Sequence, residues 1–563
     1  MDVLTNTTSD GARGLGSTAN LSDASGLFNI DSGYAMMFFC TLATVTFFAT
    51  KQRTGGTPFS ASAEPPAVPH LIPFVGHLWG LMRYTHEYAN TLCQSTPYPI
   101  FSIPVLFDKA YLVNSPLFAQ DIFRKKSVSM IPLVIEFIGR LRELSEPAKK
   151  AYADGLRSKV IHLFAARLTG SERKKMAAAA LQELTGLLPQ TLRSESGGPD
   201  MGRDAVVQDL WLWMRSIMTI TTTSSLMGKE NNPWSKDVSL VDTYWQFEDG
   251  DPTDSTTVFD LTFRSSKKAH LTLVNVLEAY FTAGHDRLNV KNSDNHIASL
   301  TVDMAAMQRE HGFTARDIAA TYLIIIHAAV ANVVPTLFWC VTYVFSQPAL
   351  LVELRDELSA AVTIEANTAV VDADRIQSNC PLLLSVLRET QRLVSVGTLH
   401  RRVVDDTVVS THRRESQGQS YLLKKGTNML ISMKSAHRNP LTWGPTANEF
   451  HADRFLEKQP SAMEENPDDS THLRRVGYFP FGGGQDQCPG RHFAITHIMG
   501  TMAVLILGHD ITAVGGGPIS QPGFGPCRMT EDTVRPHPDA DLGVRIERRQ
   551  GWEEVVWQVR NDH

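Results

Sequence analysis

A stretch near the C-terminus, Phe481-Gly482-Gly483-Gly484-Gln485-Asp486-Gln487-Cys488-Pro489-Gly490-Arg491, constrains this chain most: one cysteine set among glycines and a proline, directly before an apolar run. The run at residues 493–507 predicts a helix, with Pro489 suited to its first turn. Cys488 then lies where a helix begins, and unpaired backbone N–H groups there favour a thiolate over a thiol. Gly482, Gly483, Gly484 and Gly490 remove side chains on both sides, so something flat and large can approach the backbone. A haem whose iron takes the sulfur as axial ligand meets these conditions. The plainer reading is a free cysteine beside a flexible loop.

The spacing Phe481-x-x-Gly484-x-x-x-Cys488-x-Gly490 resembles the ligand loop of the cytochrome P-450 superfamily. Other segments resemble that family in the expected order. Leu387-Arg388-Glu389-Thr390-Gln391-Arg392-Leu393 looks like its Glu-x-x-Arg helix, and Phe450-His451-Ala452-Asp453-Arg454-Phe455 like the segment supplying a second arginine. The stretch Ala436-His437-Arg438-Asn439-Pro440 resembles what precedes it. The likeness runs from about Pro65 to Arg549. It implies a mainly α fold with small β-sheets, haem b (iron protoporphyrin IX) held in the cysteine loop, and Cys488 as the ligand to its iron.

Bulk properties allow this. The chain has 563 residues, no linker splits it after Phe74, and a net charge of −6 with mixed signs gives no basic stripe for nucleic acid. Its six cysteines, Cys40, Cys93, Cys340, Cys380, Cys488 and Cys527, lie far apart, which argues against a disulfide framework or a zinc site.

The N-terminus gives a location. Residues 33–50 are uncharged and mostly apolar, about the minimum length to span a bilayer. Lys51 and Arg53 follow, so the positive-inside rule places residues 1–32 in the lumen and the body in the cytoplasm. A single-pass anchor in the endoplasmic reticulum membrane is the expectation, with a cleaved signal peptide as the competing one. Asn6 and Asn20 begin glycosylation sequons on the luminal side. Residues 51–74 contain the proline-dense Pro65-Pro66-Ala67-Val68-Pro69 and read as a stiff linker, leaving 75–563 as the catalytic domain.

Periodicity predicts helices at 147–167, 171–192, 204–227, 265–281, 314–345, 348–362 and 381–393, with strands at 100–103, 110–113, 407–409, 421–423 and 429–432. Residues 464–473 read as a solvated acidic insertion. No charged residue occurs from 318 to 352, so the 314–345 segment competes as a second membrane span; Thr314 with Asp317 as a helix start, and His327, Asn332 and Pro335 within it, favour a buried core helix.

In the family this helix crosses the haem and carries an acid followed by threonine, a pair that helps deliver protons to bound dioxygen. Here Ala331 and Asn332 stand in those places. An amide donates a hydrogen bond but relays a proton less readily than a hydroxyl. The Ala-Asn pair with a following proline resembles the cholesterol 7-alpha-hydroxylase and prostacyclin synthase branches, a monooxygenase and an isomerase. Asn332 is the candidate catalytic residue. A second departure is Asp486, where the superfamily has an arginine or histidine for a haem propionate; an acid cannot pair with a carboxylate, so His400, Arg401 and Arg402 become candidates. Trp211 with Arg215 imitates the family's early Trp-x-x-x-Arg pair but comes late in the chain.

Glu389 and Arg392 share one helix face, with Arg454 the third member by resemblance and a structural role implied. The expected function is a membrane-anchored haem-thiolate monooxygenase. It would use O2 and electrons from an NADPH–cytochrome P-450 reductase docking near Cys488 and Arg491, and oxidise a lipophilic terpenoid, sterol or polyketide held by Ile324, Ile325, Ala328, Ala329 and the Phe313–Tyr322 approach. The alternatives are a haem-thiolate isomerase or dehydratase working without a reductase, and a non-haem protein such as a cysteine hydrolase or scaffold.

Overall fold

The computed structural model describes residues 63–69, 76–105, 108–141, 143–192, 204–207, 209–250, 264–287, 296–411, 419–456, 469–526 and 532–560. The expected anchor at 33–50, the luminal tail with Asn6 and Asn20, most of the linker and part of the acidic insertion lie outside them.

Helices dominate, and most follow the apolar periodicity: Gly170–Thr191, Arg264–Thr282, Pro348–Ala361, Pro381–Val394 and Arg491–Gly508. Three predicted helices need correction. The 147–167 segment is Glu146–Ala151, a wide turn at Tyr152–Leu156 where Gly155 takes φ 107°, and then Arg157–Arg167. A positive φ of that size is open only to glycine at low cost, and it breaks the helix there. Residues 204–227 begin as a strand, Asp204–Val207, before the helix Leu210–Met227, whose start Asp209 caps by accepting from the Leu212 N–H. The 314–345 segment is two helices, Ala315–Val330 and Val333–Phe345. Thr314 and Asp317 cap the first reciprocally, as the sequence suggests. Pro335 lacks an N–H for the Ala331 carbonyl, and its ring crowds that carbonyl, so the helix breaks at Ala331–Asn332.

Both long apolar helices belong to the core. The Ala315–Phe345 stretch is buried over 72% of its most apolar window and Arg491–Gly508 over 78%. Every residue of Val333–Phe345 is buried. Gly500 brings the Leu181 side chain against the backbone of Arg491–Gly508, since a Cβ there would sit 2.6 Å from it.

All five predicted strands are present within slightly longer ones. The largest sheet runs in the order Ile100–Val105, Asp108–Val113, Asn428–Ser432, Thr398–Val403, Val128–Ser129. Thr398–Val403, which periodicity does not mark but the resemblance implies at His400–Arg402, pairs antiparallel with Asn428–Ser432, placing Arg401 opposite Met429 and Arg402 opposite Asn428. Part of the proline-dense segment belongs to the globule: the Val68 N–H donates to the Ser102 carbonyl at 2.9 Å, and the Ser102 N–H to Pro66 at 2.8 Å.

Candidate functional site

The cysteine loop hangs between two supports. Behind it, the Cys488 N–H donates to the Phe481 carbonyl at 2.9 Å and the Gly482 N–H to Phe479 at 2.9 Å. The helix starts at Arg491 with Gly490 before it, so Pro489 precedes the first turn instead of sitting in it. The glycines serve packing more than the sequence suggests. A Cβ on Gly483 would meet the Phe123 ring at 2.3 Å, and one on Gly484 the Phe123 carbonyl at 2.0 Å. Helix Pro116–Arg124 fills that side. Gly490 lies on the sulfur's side, where a Cβ would come within 3.8 Å of Sγ. Cys488 itself is exposed.

The thiol is not biased toward the anion as the helix start predicts. Burial by the surrounding chain pushes it above its ordinary value, against the Gly490 N–H, the Arg491 charge and the Arg491 N–H, which pull it down. Desolvation outweighs the helix terminus in the protein alone; a coordinating metal ion would reverse that order.

Glu389, Arg392 and Arg454 come together. Arg392 Nε donates to Glu389 Oε2 at 2.7 Å and Nη2 to Oε1 at 2.9 Å, while Arg454 Nε reaches Oε1 at 2.8 Å. The His451 N–H adds a fourth bond at 3.1 Å. Arg392 is fully buried over the Trp443 ring and gives its remaining hydrogens to the carbonyls of His437, Ala447 and Glu449. His437 links this cluster to the loop. Its Nε2 accepts the Phe479 N–H at 3.0 Å, so the ring is neutral with its hydrogen on Nδ1. Burial, with Arg392 next, holds its pKa down to about 3.

The two neighbouring arginines of strand Thr398–Val403 separate. Arg401 points inward, 4% exposed, with Nε 3.2 Å from Asp486 Oδ2, which also accepts the Met130 N–H at 3.1 Å. Arg402 points outward and pairs with Glu136 and Asn428. Arg157, which the sequence did not single out, joins Arg401. It is buried, bonds no described residue, and feels Asp486 as its one opposing charge. Burial pulls both guanidinium groups below their ordinary values, while Asp486 pulls both up and Asp532 adds to the pull on Arg401. Arg401 Nη2 is nonetheless buried without a hydrogen-bond partner among the described residues. A further acceptor, such as the carboxylate of a bound group, fits there. Trp211 and Arg215 belong elsewhere: Arg215 lies over Trp245, 4.8 Å from the ring centroid, near Asp242.

On the helix ending at Val330, the residues between Leu323 and Val333 that keep exposure are Ile324, His327, Ala328, Ala329 and Asn332. Ile324, His327 and Ala328 recur at helical spacing and form one face, and Asn332 follows at the helix break. Ile325 points into the core instead, as do Phe313 against Tyr152 and Tyr322, whose hydroxyl lies 2.6 Å from Thr301. His327, which the sequence reading took only as an interruption of the apolar run, has its Nδ1 2.8 Å from Glu248 Oε1. Asn332 Oδ1 accepts the Thr533 N–H at 3.1 Å. That backbone donor fixes the amide's orientation, so Nδ2 faces the other way, and it bonds no described residue.

A cytochrome P-450 family model matches residues 66–517. A cytochrome P-450 monooxygenase of Gibberella zeae is 27% identical over 89% of this chain and 92% of its own length. One of Hypoxylon pulicicidum is 24% identical over 93% of this chain and 95% of its own. Cholesterol 7-alpha-monooxygenase of Cricetulus griseus is 24% identical over 58% of this chain and 64% of its own. A cyanobacterial protein solved with retinoic acid bound shares the fold at a TM-score of 0.62 and 17% identity, covering 87% of this chain and 100% of that one. With a family model spanning most of its length, this chain belongs to the cytochrome P-450 family and is a haem b enzyme of the monooxygenase class.

Proposed function

We propose that the chain is a membrane-anchored haem-thiolate monooxygenase of lipophilic small molecules, working in secondary-metabolite biosynthesis, with Cys488 as the axial ligand. The observation that carries this reading is the cysteine loop: an exposed sulfur beside the Gly490 and Arg491 N–H groups, on a backbone clamped through Phe479, Phe481 and Phe123. Haem b fits the residues present. Its carboxylates have donors waiting in Arg157 and in Arg401, whose Nη2 is buried without a partner among the described residues. Arg402 has its own acid in Glu136 and is not needed.

Bound haem supplies the redox chemistry, the sulfur's electron density favouring O–O cleavage and insertion of one oxygen atom into an unactivated C–H bond. The chain's residues do the rest. Ile324 and Ala328 offer an apolar face to the substrate. Asn332 Nδ2 offers a hydrogen-bond donor where the family has a hydroxyl. In this reading residues 33–50 anchor the chain in the endoplasmic reticulum membrane, the body is cytoplasmic, and NADPH–cytochrome P-450 reductase docks near Arg491.

Three measurements test this. With a reductase, NADPH and labelled dioxygen, the product of a lipophilic substrate should carry one labelled oxygen atom. Product formed without NADPH and without label would instead support the isomerase or dehydratase reading, which the Ala331-Asn332 pair, shared by a monooxygenase and an isomerase branch, leaves open. Asn332→Ala should lower product per NADPH about tenfold at unchanged haem content; an unchanged ratio removes Asn332 from the mechanism. Arg157→Gln should speed haem transfer to apomyoglobin by about tenfold while leaving the reduced carbon monoxide spectrum at its wild-type position. An unchanged transfer rate would take Arg157 out of the cofactor site.

A further inference from the structure

Asp532 is an acid beside the candidate haem site that the reading above gives no role. It opens the stretch 532–560, which is clipped on both sides. The N–H groups of Val396 and Gly397 both donate to its carbonyl, at 2.8 and 3.1 Å. The next residue, Thr533, gives its N–H to Asn332. Further along, Val534 is bound through its own N–H to Val394, and its carbonyl accepts the Trp339 indole N–H at 2.8 Å. The backbone of Asp532 is therefore fixed from both the helix break and the chain entering strand Thr398–Val403.

Its side chain is given room. A Cβ on Gly397 would lie 2.2 Å from Asp532 Oδ1 and 2.8 Å from its Cα, so the carboxyl rests on a bare α-carbon. There the charges it feels are those of His327 and Arg401, and Cys488 feels it in turn. Those three residues belong to three different walls of the candidate site. Burial pushes the carboxyl up to about 6 against the pull of His327 and then Arg401. Yet no described residue hydrogen-bonds either oxygen. Asp532 is half-buried, so its oxygens stay open to a bound molecule that brings a donor, and a hydrogen bond made there away from bulk water favours that molecule.

We propose that Asp532 is a specificity-determining residue whose carboxyl accepts a hydrogen bond from a hydroxyl on an otherwise apolar substrate, so that the enzyme acts on a lipid alcohol and not on its parent hydrocarbon. The proposal rests on the haem-monooxygenase reading above. It narrows that reading's substrate class: a site built to receive a hydroxyl rejects the analogue lacking one far more strongly than an apolar pocket discriminates by size.

The test uses purified full-length holoenzyme and two probe pairs that differ by one hydroxyl: cholesterol with cholest-5-ene, and farnesol with farnesene. Substrate-induced change of the haem spectrum reads affinity. Wild type should bind the alcohol of at least one pair about tenfold or more tighter than its hydrocarbon. Asp532→Leu should bring that preference within about twofold by weakening the alcohol alone, and Asp532→Asn, which keeps an acceptor oxygen, should retain part of it. An alcohol preference that survives in Asp532→Leu overturns the proposal, and so does a wild type that favours neither alcohol. The carbon monoxide spectrum of the same samples separates the two readings. If it is intact while the preference ignores residue 532, the Asp532 assignment alone fails; if wild type lacks it, the haem-thiolate reading fails first.

Discussion

Cys488→Ser should fold and lose the spectral signature of a thiolate-ligated haem. The loop geometry predicts both halves of this result. The backbone bonds that shape the loop, from Cys488 N–H to Phe481 and from Gly482 N–H to Phe479, do not involve the sulfur. The side chain is exposed, so a change of one atom removes little buried surface, and surface substitutions of this kind usually shift stability by less than about 0.5 kcal/mol. A hydroxyl lacks the soft anion that pushes electron density onto iron. The reduced carbon monoxide difference band should vanish or move, and NADPH-dependent product should fall below detection, with the melting temperature of the haem-free chain within a degree or two of wild type. A variant that keeps the wild-type band would refute Cys488 as ligand, whatever the family membership says.

The loop was legible because its chemistry and its chain geometry coincide: glycines, a proline and a cysteine at fixed spacing leave few alternatives. The glycines' physical purpose was not legible, because Phe123 lies far away in sequence and only the fold brings it against Gly483 and Gly484. Glu389 and Arg392 could be read from their spacing and apolar neighbours, a local signal. Arg401 and Arg402 show a local rule left unused. Adjacent residues on a strand face opposite ways, so once the resemblance placed both on a strand, no more than one of them could face the site. Arg157 escaped for a different reason. It follows a wide turn set by Gly155, so its direction depends on a break in helical phase that no helical spacing describes. The 314–345 segment failed only at its middle, where Pro335 was present to be read.

The Glu389 cluster predicts the largest stability effect. Glu389→Ala leaves Arg392, 0% exposed, and Arg454, 7% exposed, without their shared carboxylate. Removing one partner of a buried pair costs about 3–5 kcal/mol, a large part of the roughly 5–15 kcal/mol that holds a protein folded. The melting temperature is nonetheless a blunt readout here. Unfolding entropy near 2 cal/mol/K per residue gives about 1 kcal/mol/K for a chain of roughly 500 ordered residues, so the expected fall is only about 3–5 °C. Haem retention should respond more sharply. Arg392 holds the His437 carbonyl at 2.7 Å, the His437 ring receives the Phe479 N–H, and Phe479 receives the Gly482 N–H, so disorder at Glu389, passed to Arg392, reaches the cysteine loop in four hydrogen-bonded steps. Glu389→Ala should therefore yield mostly haem-free protein, measured as haem per chain after purification. Glu389→Gln, which keeps the acceptor oxygen and loses the charge, should fall between the two. His437→Phe isolates the middle of the route: it removes the Phe479 acceptor but leaves the His437 backbone carbonyl for Arg392, so it should lower haem content with a smaller loss of stability than Glu389→Ala. If His437→Phe holds its haem as wild type does, the cluster supports the fold without setting the loop, and the connection between them is packing alone.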